Sequence, residues 1–374
     1  MKGKDILSIG DLAPDDAWRI INNAVEMKQQ GISSILAGQT LALLFEKPSL
    51  RTRVSFDVAM HQLGGHTIYL SQSEVGLGSR ESVSDVARTL SRYVNVIAAR
   101  TFSHATVESL AEHATVPVIN ALSDKEHPCQ ALADLLTIYE KKGELKGLTL
   151  AFIGDGNNVA SSLLLASALV GMNFRIASPK GYEVSDEIVA LGRDLAQGSK
   201  ILRVEQPKAA AEGADVVYTD VWTSMGQEAA AGKRREDFAG YQVTAELLSL
   251  AAEDAILMHP LPAHHDEEIA PGLIDSPQSV VFDQAENRLH VQKAILEDLY
   301  RKPDHAEAWC NKGIALGNLN RLEEALDCLE EALRLKPDYA EAWYNKGVAL
   351  EKLGQWKQAL AAYEHARALE KGKP

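Results

Sequence analysis

Leu41-Ala42-Leu43-Leu44-Phe45-Glu46-Lys47-Pro48-Ser49-Leu50-Arg51-Thr52-Arg53 is the stretch whose reading decides the fold. Five apolar residues without a polar break are too few for a helix and suit a strand covered on both faces. Pro48 and Ser49 then suit a helix start, and Gly64-Gly65 suit its end. Strand, turn and helix in that order make one unit of an α/β fold.

The same unit recurs outward along the chain. Short apolar or β-branched runs at 41–45, 96–99, 149–153, 174–177, 216–219, 256–258 and 280–282 read as buried strands. Helical patterns separate most of them. Such alternation predicts parallel sheets with helices on both faces. Lys141-Lys142-Gly143 closes one helix before a fresh strand, so a boundary is predicted there. The expected fold is α/β, with two doubly wound lobes over residues 1–143 and 144–302, followed by an all-α tail over 303–374.

The tail repeats itself. Trp309 and Trp343, Gly313 and Gly347, Ala325 and Ala359, Leu329 and Tyr363, and Ala332 and Ala366 recur at one period of about 34 residues. That pattern resembles the tetratricopeptide repeat, a pair of amphipathic helices. Such units bury their apolar faces by stacking, and two alone are marginal. Glu297, Leu299, Lys302, Pro303 and Asp304 match Glu331, Leu333, Lys336, Pro337 and Asp338 one period later. The helix expected at 286–301 therefore ends like a repeat helix, and is expected to serve as the first stacking surface.

Bulk composition narrows the function classes. The chain has 374 residues, 46% hydrophobic and 24% charged, the profile of a globular protein. No apolar run spans a membrane and no secretion signal opens the chain, so a cytoplasmic location is expected. The three cysteines, Cys129, Cys310 and Cys328, are few and scattered, as in a reducing compartment. A net charge of −14 without a basic stripe disfavours nucleic acid. An acidic protein that binds an anionic substrate must gather cations locally.

They gather after the first strand. Backbone N–H groups at a helix start attract an anion, Ser49 and Thr52 add hydroxyls, and Arg51 and Arg53 add guanidinium forks. The alternative is a capped helix start with two surface arginines. A second cluster, His127-Pro128-Cys129-Gln130, opens a helix expected at 131–142, with Pro at its first turn. Arg100 ends another strand, where ligands of open α/β sheets bind. Alone, His127 also reads as a structural histidine. Cys129 has no evident partner base and reads as a packed apolar residue.

In the second half, Gly154-Asp155-Gly156-Asn157-Asn158 follows a strand and opens a helix expected at 159–170. A dinucleotide site would need a third glycine where Val159 stands, and an acid after the next strand, where Ser178-Pro179 stand. A nicotinamide dehydrogenase is thereby disfavoured. Asp220-Val221-Trp222-Thr223-Ser224-Met225-Gly226 follows another strand. Then come Met258-His259-Pro260-Leu261-Pro262-Ala263-His264-His265-Asp266-Glu267-Glu268. His264, His265, Asp266 and Glu267 have the composition of metal ligands, but their spacing fits no familiar site. A solvated helix start is the expected reading, and neither metal nor cofactor is expected.

Phe-x-Lys-x-Ser-x-Arg-Thr-Arg-x-Ser-Phe and His-Pro-x-Gln together resemble the carbamoyl phosphate domain of the aspartate and ornithine carbamoyltransferases. Asp-x-x-x-Ser-Met-Gly is similar to the ornithine-recognition loop of that family. The resemblance covers about residues 4–296. It implies that Ser49, Leu50, Arg51, Thr52 and Arg100 hold phosphate, and that His127 and Gln130 engage the carbamoyl group. It also implies that Pro260 and Leu261 border that group, with the Leu261 carbonyl taking its NH₂. Arg288, in Glu286-Asn287-Arg288 at the start of the last helix, would meet the carbamoyl oxygen. Asn158, Asp220, Ser224 and Met225 would hold ornithine. Leu50 stands where the family usually has Thr, and Pro260 where ornithine enzymes commonly have Cys and aspartate enzymes Pro. Arg51, Arg100, His127 and Arg288 are the implied catalytic groups.

The implied reaction carries the carbamoyl group from carbamoyl phosphate to L-ornithine, giving citrulline and phosphate. Family members form trimers, and the Gly-bearing segment 71–81 is the expected loop to a neighbour's site. Two other readings stay open. One is a carbamoyltransferase for aspartate, putrescine or an acylated ornithine. The other is a scaffold whose repeats recruit a protein partner and whose enzyme domain is vestigial.

Overall fold

The computed structural model describes residues 5–29, 31–196, 198–300, 306–318 and 321–371. The chain divides into two compact units, which meet in sequence between Asp298 and Leu299.

The first unit holds two parallel sheets. One contains β1 (Thr40–Phe45), β2 (His66–Ser71), β3 (Val96–Arg100) and β4 (Val118–Leu122) in the order β2-β1-β3-β4. The other contains β5 (Thr149–Ile153), β6 (Asn173–Ala177), β7 (Ile201–Val204), β8 (Val216–Thr219) and β9 (Ile256–Met258) in the order β7-β6-β5-β8-β9. The central strands β1, β3, β5 and β8 are buried nearly throughout, which is why they read as unbroken apolar runs.

Each sheet reverses its winding once, between β1 and β3 in the first and between β5 and β8 in the second. Ligands of open α/β sheets bind in the crevice beyond the strand C-termini at such a point. Phe45 and Arg100 end β1 and β3, while Ile153 and Thr219 end β5 and β8. The topology thus names four loops before any side chain is considered.

Three further strands were not expected from the sequence. β2 is a half-exposed edge with mixed polarity, β4 follows Pro117, and β7 has only four residues. One expected strand is absent: residues 280–282 enter the helix Val281–Tyr300. A three-residue apolar run cannot separate a buried strand from the first turn of a buried helix. The same helix starts five residues earlier than expected, so Arg288 sits two turns inside it. The helices Pro128–Lys142 and Asn158–Val170 also begin slightly earlier than read.

The chain crosses from the first sheet's lobe to the second through residues 143–148 and returns in the helix Val281–Tyr300. That returning helix is fastened to the first lobe and the N-terminal helix Pro14–Gln29. Asn287 donates to Thr137 Oγ1 at 3.0 Å, Lys28 Nζ to Asn287 at 2.9 Å, and Arg19 Nε to Asp298 at 3.0 Å.

The second unit contains the helices Ala306–Asn318, Leu322–Leu335, Ala340–Lys352 and Trp356–Lys371. A Cβ on Gly313 would lie 2.6 Å from Leu329, and one on Gly347 2.5 Å from the Tyr363 ring. The recurring glycines are therefore where paired helices approach. The expectation that the helix before the repeats stacks on them depends in part on Lys302, Pro303 and Asp304, which lie outside the described residues.

Candidate active site

Arg100 at the end of β3 and the loops after β1, β5 and β8 line one cavity of about 1180 Å³ between the sheets. All the residues expected at the site reach its wall: Ser49, Leu50, Arg51, Thr52, Arg100, His127, Gln130, Asn158, Asp220, Ser224, Met225, Pro260, Leu261 and Arg288.

One side is cationic. Ser49 is the N-cap of the helix Leu50–Gln62, with its hydroxyl accepting from the Thr52 N–H at 3.3 Å. The N–H groups of Leu50 and Arg51, in the first helical turn, have no intrahelical acceptor by geometry. Leu50, 75% exposed, has an apolar side chain without a hydrogen-bonding group, so its N–H is the donor it can offer an anion. Arg100 is buried beside Arg51 and Arg288, and its guanidinium is pushed down to about 10 by burial first and then by those two cations. Burial and the same three arginines lower His127 well below the ordinary imidazole range, which keeps the ring neutral. Its N–H main-chain group donates to Ser162 Oγ at 2.8 Å, while ring Nδ1 is buried without a partner. Two buried guanidiniums, Arg100 and Arg288, and the half-buried Arg51 around a neutral histidine favour a multiply charged anion.

Arg288 binds the first lobe directly. Its Nη1 donates to Gln130 Oε1 at 2.7 Å and its Nη2 to Thr52 Oγ1 at 3.3 Å. A residue from the returning helix therefore completes the pocket at the β1 and β4 ends.

The opposite side is acidic. Asp220, at the end of β8, is buried, which raises its carboxyl, while Asn157 and the Val221 N–H act the other way at 2.8 Å each. Asp155 is raised to about 6 by burial, against the buried pair it makes with Arg234. The loop at Ser224 is exposed, with Met225 46% exposed at the cavity mouth. The Asn158 amide donates to the Ser123 carbonyl at 2.7 Å, and Asn157 is the residue on Asp220.

The glycines of 154–158 have packing roles. A Cβ on Gly156 would lie 2.2 Å from the Val184 nitrogen, and Gly154 has φ +137.

Residues 264–267 form a turn and not the expected helix start, with Asp266 at φ +74. Glu267 pairs with Arg235 at 2.7 Å. His264, Glu267 and Glu268 place ligand-type atoms within 4.8 Å of one another. Glu268 Oε1 meets His259 Nε2 at 3.1 Å and accepts the His264 N–H at 2.6 Å. The Leu261 N–H donates to His259 Nδ1 at 2.9 Å, so Nε2 carries the imidazole proton. Leu261 has φ +57, a conformation disfavoured for a branched side chain. The Glu268–His259 pair therefore holds the loop that bears Pro260 and Leu261.

Family models match both lobes. The aspartate/ornithine carbamoyltransferase carbamoyl-P binding domain matches residues 4–140, and the Asp/Orn binding domain matches 146–299. The chain belongs to the aspartate/ornithine carbamoyltransferases. Tetratricopeptide repeat models match residues 318–354 and 340–372 of this carbamoyltransferase. An ornithine carbamoyltransferase of Bacillus subtilis is 52% identical over 307 residues, 82% of this chain and 96% of its own length. One from Anoxybacillus flavithermus is 51% identical over 305 residues, 80% of this chain and 97% of its own. A solved ornithine carbamoyltransferase from Pyrococcus furiosus superimposes with a TM-score of 0.76 at 48% identity, covering 79% of this chain and 96% of its own.

Reading the carbamoyltransferase sequence did not mark Glu268, Asp134 or Gln284. Asp134 lies four residues after Gln130, and Gln284 four before Arg288. Helical spacing alone places each beside a site residue. Burial raises the Asp134 carboxyl to about 7, opposed by hydrogen bonds from Gln130, Gln284 and Tyr218.

Proposed function

We infer that this chain transfers the carbamoyl group of carbamoyl phosphate to the side-chain amine of L-ornithine, giving L-citrulline and phosphate. The observation that carries the reading is one cavity with Arg51, Arg100 and Arg288 on one side and Asp220 on the other. A dianionic phosphate ester fits the first side. The α-ammonium of a diamino acid fits the second, whereas the dicarboxylate aspartate would meet the Asp220 anion.

In this reading Ser49, the Leu50 N–H, Arg51, Thr52 and Arg100 bind phosphate. His127, Gln130 and Arg288 hold the carbamoyl oxygen, and the Leu261 carbonyl takes the carbamoyl NH₂ beside Pro260. Asn158, Asp220, Ser224 and Met225 hold ornithine. The neutral amine attacks the carbamoyl carbon, forming a C–N bond and a tetrahedral species. The C–O bond to phosphorus then breaks, and the departing phosphate takes the amine proton. Preorganised cations stabilise the charge that develops, and alignment of two bound substrates supplies up to about 7–11 kcal/mol of the barrier reduction.

The proposed domains are 1–143 for carbamoyl phosphate, 144–302 for ornithine and 303–374 for the repeats. By the family resemblance, residues 71–81 serve a neighbour's cavity in a homotrimer, or a multiple of one. A cytoplasmic role in arginine biosynthesis and a protein partner for the repeats complete the reading.

The test is phosphate release from carbamoyl phosphate, with formation of the matching carbamoylated amine, when ornithine, aspartate, putrescine and acetylornithine are offered separately. Ornithine is expected to be the preferred amine by at least a hundredfold in kcat/KM. Preference for another amine would overturn the substrate assignment, and no turnover with any would favour the scaffold.

A further inference from the structure

A chain of buried polar groups runs behind the cavity, from the Leu261 loop of the second lobe to Gln130 of the first. The Leu261 N–H donates to His259 Nδ1, and the His259 N–H donates to Gln284 Oε1 at 2.9 Å. Gln284 Nε2 donates to Asp134 Oδ1 at 2.8 Å and to Tyr218 Oη at 3.0 Å. Tyr218 Oη donates to Asp134 Oδ2 at 3.0 Å, and Gln130 Nε2 to Asp134 Oδ1 at 2.8 Å. Gln130 Oε1 then accepts from Arg288. Asp134, Tyr218, His259 and Gln284 are fully buried.

We propose that Asp134 and Gln284 are positioning residues: the link between them fixes Gln130 and Arg288 in register with the Leu261 carbonyl, so that both lobes grip one carbamoyl group. This rests on the reaction assigned above. The polarity of the link is directional. Asp134 accepts from three donors, and both Gln284 amide hydrogens have an acceptor. Every side-chain donor and acceptor of Asp134, Gln284 and Tyr218 is paired, so this part of the network favours one arrangement, because any slip strands a donor or acceptor away from water. Gln130 meets the network through Asp134, and Arg288 meets it through Gln130, with Thr52 Oγ1 as its other partner. Ser49 and Arg51, by contrast, are set by their own helix start and do not depend on it.

Reversing the polarity tests the link. Gln284→Glu places a carboxylate against Asp134, while Asp134→Asn with Gln284→Glu restores a donor facing an acceptor, now from residue 134 to residue 284. We expect Gln284→Glu to lower kcat at least thirtyfold while the Kd for inorganic phosphate stays within threefold. The double variant is expected to recover to within fivefold of the wild type. Should Gln284→Glu fail to fold, Gln284→Met cuts the chain without adding charge, and the same loss of kcat with phosphate binding retained is expected. The proposal is overturned if the single variant keeps kcat within threefold, if the double variant is no better than the product of the singles, or if phosphate affinity falls together with kcat. A wild type that makes no citrulline would sink the assigned reaction. A normal wild type with unaffected variants would sink the link alone.

Discussion

Arg100→Met separates what the cation cluster costs the fold from what it gives to binding. Burial and two neighbouring guanidiniums bring Arg100 down from the ordinary guanidinium range to about 10. That lowering corresponds to on the order of 3 kcal/mol against holding the charged group in the folded chain. The depressed value belongs to a base, so this cost is fully present below about 10 and vanishes only above the unfolded value. Methionine keeps an apolar stem of similar length. At pH 8 the ligand-free variant is therefore expected to gain up to about 3 kcal/mol, a rise of several degrees in the midpoint of its main thermal transition. Phosphate at a hundred times its Kd stabilises the wild type by about 2.7 kcal/mol, and the variant is expected to lose that response. Removing one preorganised donor to a developing anion typically costs about a hundredfold to a thousandfold, and kcat/KM is expected to fall by that much. Thermal unfolding with and without phosphate, beside citrulline formation, reads all three. A ligand-free variant that is less stable and still responds to phosphate would refute the reasoning.

Asp220→Asn is expected to raise the KM for ornithine at least thirtyfold and leave phosphate affinity within threefold, checked by kinetics and calorimetry; an unchanged KM would remove Asp220 from the ornithine side. The rate is expected to climb from pH 6 to pH 9 as the ornithine amine, with a pKa near the 10.4 of lysine, loses its proton; a flat profile under rate-limiting chemistry would contradict amine attack. Because burial raises the Asp220 carboxyl, its anion is lost as pH falls through a value above the ordinary 3.8, and the ornithine KM is expected to rise on that acid side first. Gly156→Ala would put a Cβ against the backbone at Glu183 and Val184, and is expected to abolish soluble folded protein, as read by circular dichroism and gel filtration.

Much of the cationic side was legible because its determinants are local. A strand, an N-capping serine and two arginines lie within thirteen consecutive residues, and the helix start they imply is where Ser49 and Thr52 meet. The repeats were legible through periodicity. The weaker readings share a cause in tertiary context. Residues 280–282 are buried by neighbours that a short window does not contain. The turn at 264–267 is shaped by Glu268 reaching back to His259, a partner nine residues away. Asp134 and Gln284 are 150 residues apart, so their pairing has no local signature.

The two crossings of the chain between lobes have a mechanical consequence. A body tethered to another at two separated places, residues 143–148 and the start of the returning helix, resists sliding and yields most easily to rotation about the line through both tethers. The lobes are hung like a door on a pair of hinges. Arg288 lies two turns past one of them and is bonded to the first lobe, so rotation about that line moves it little.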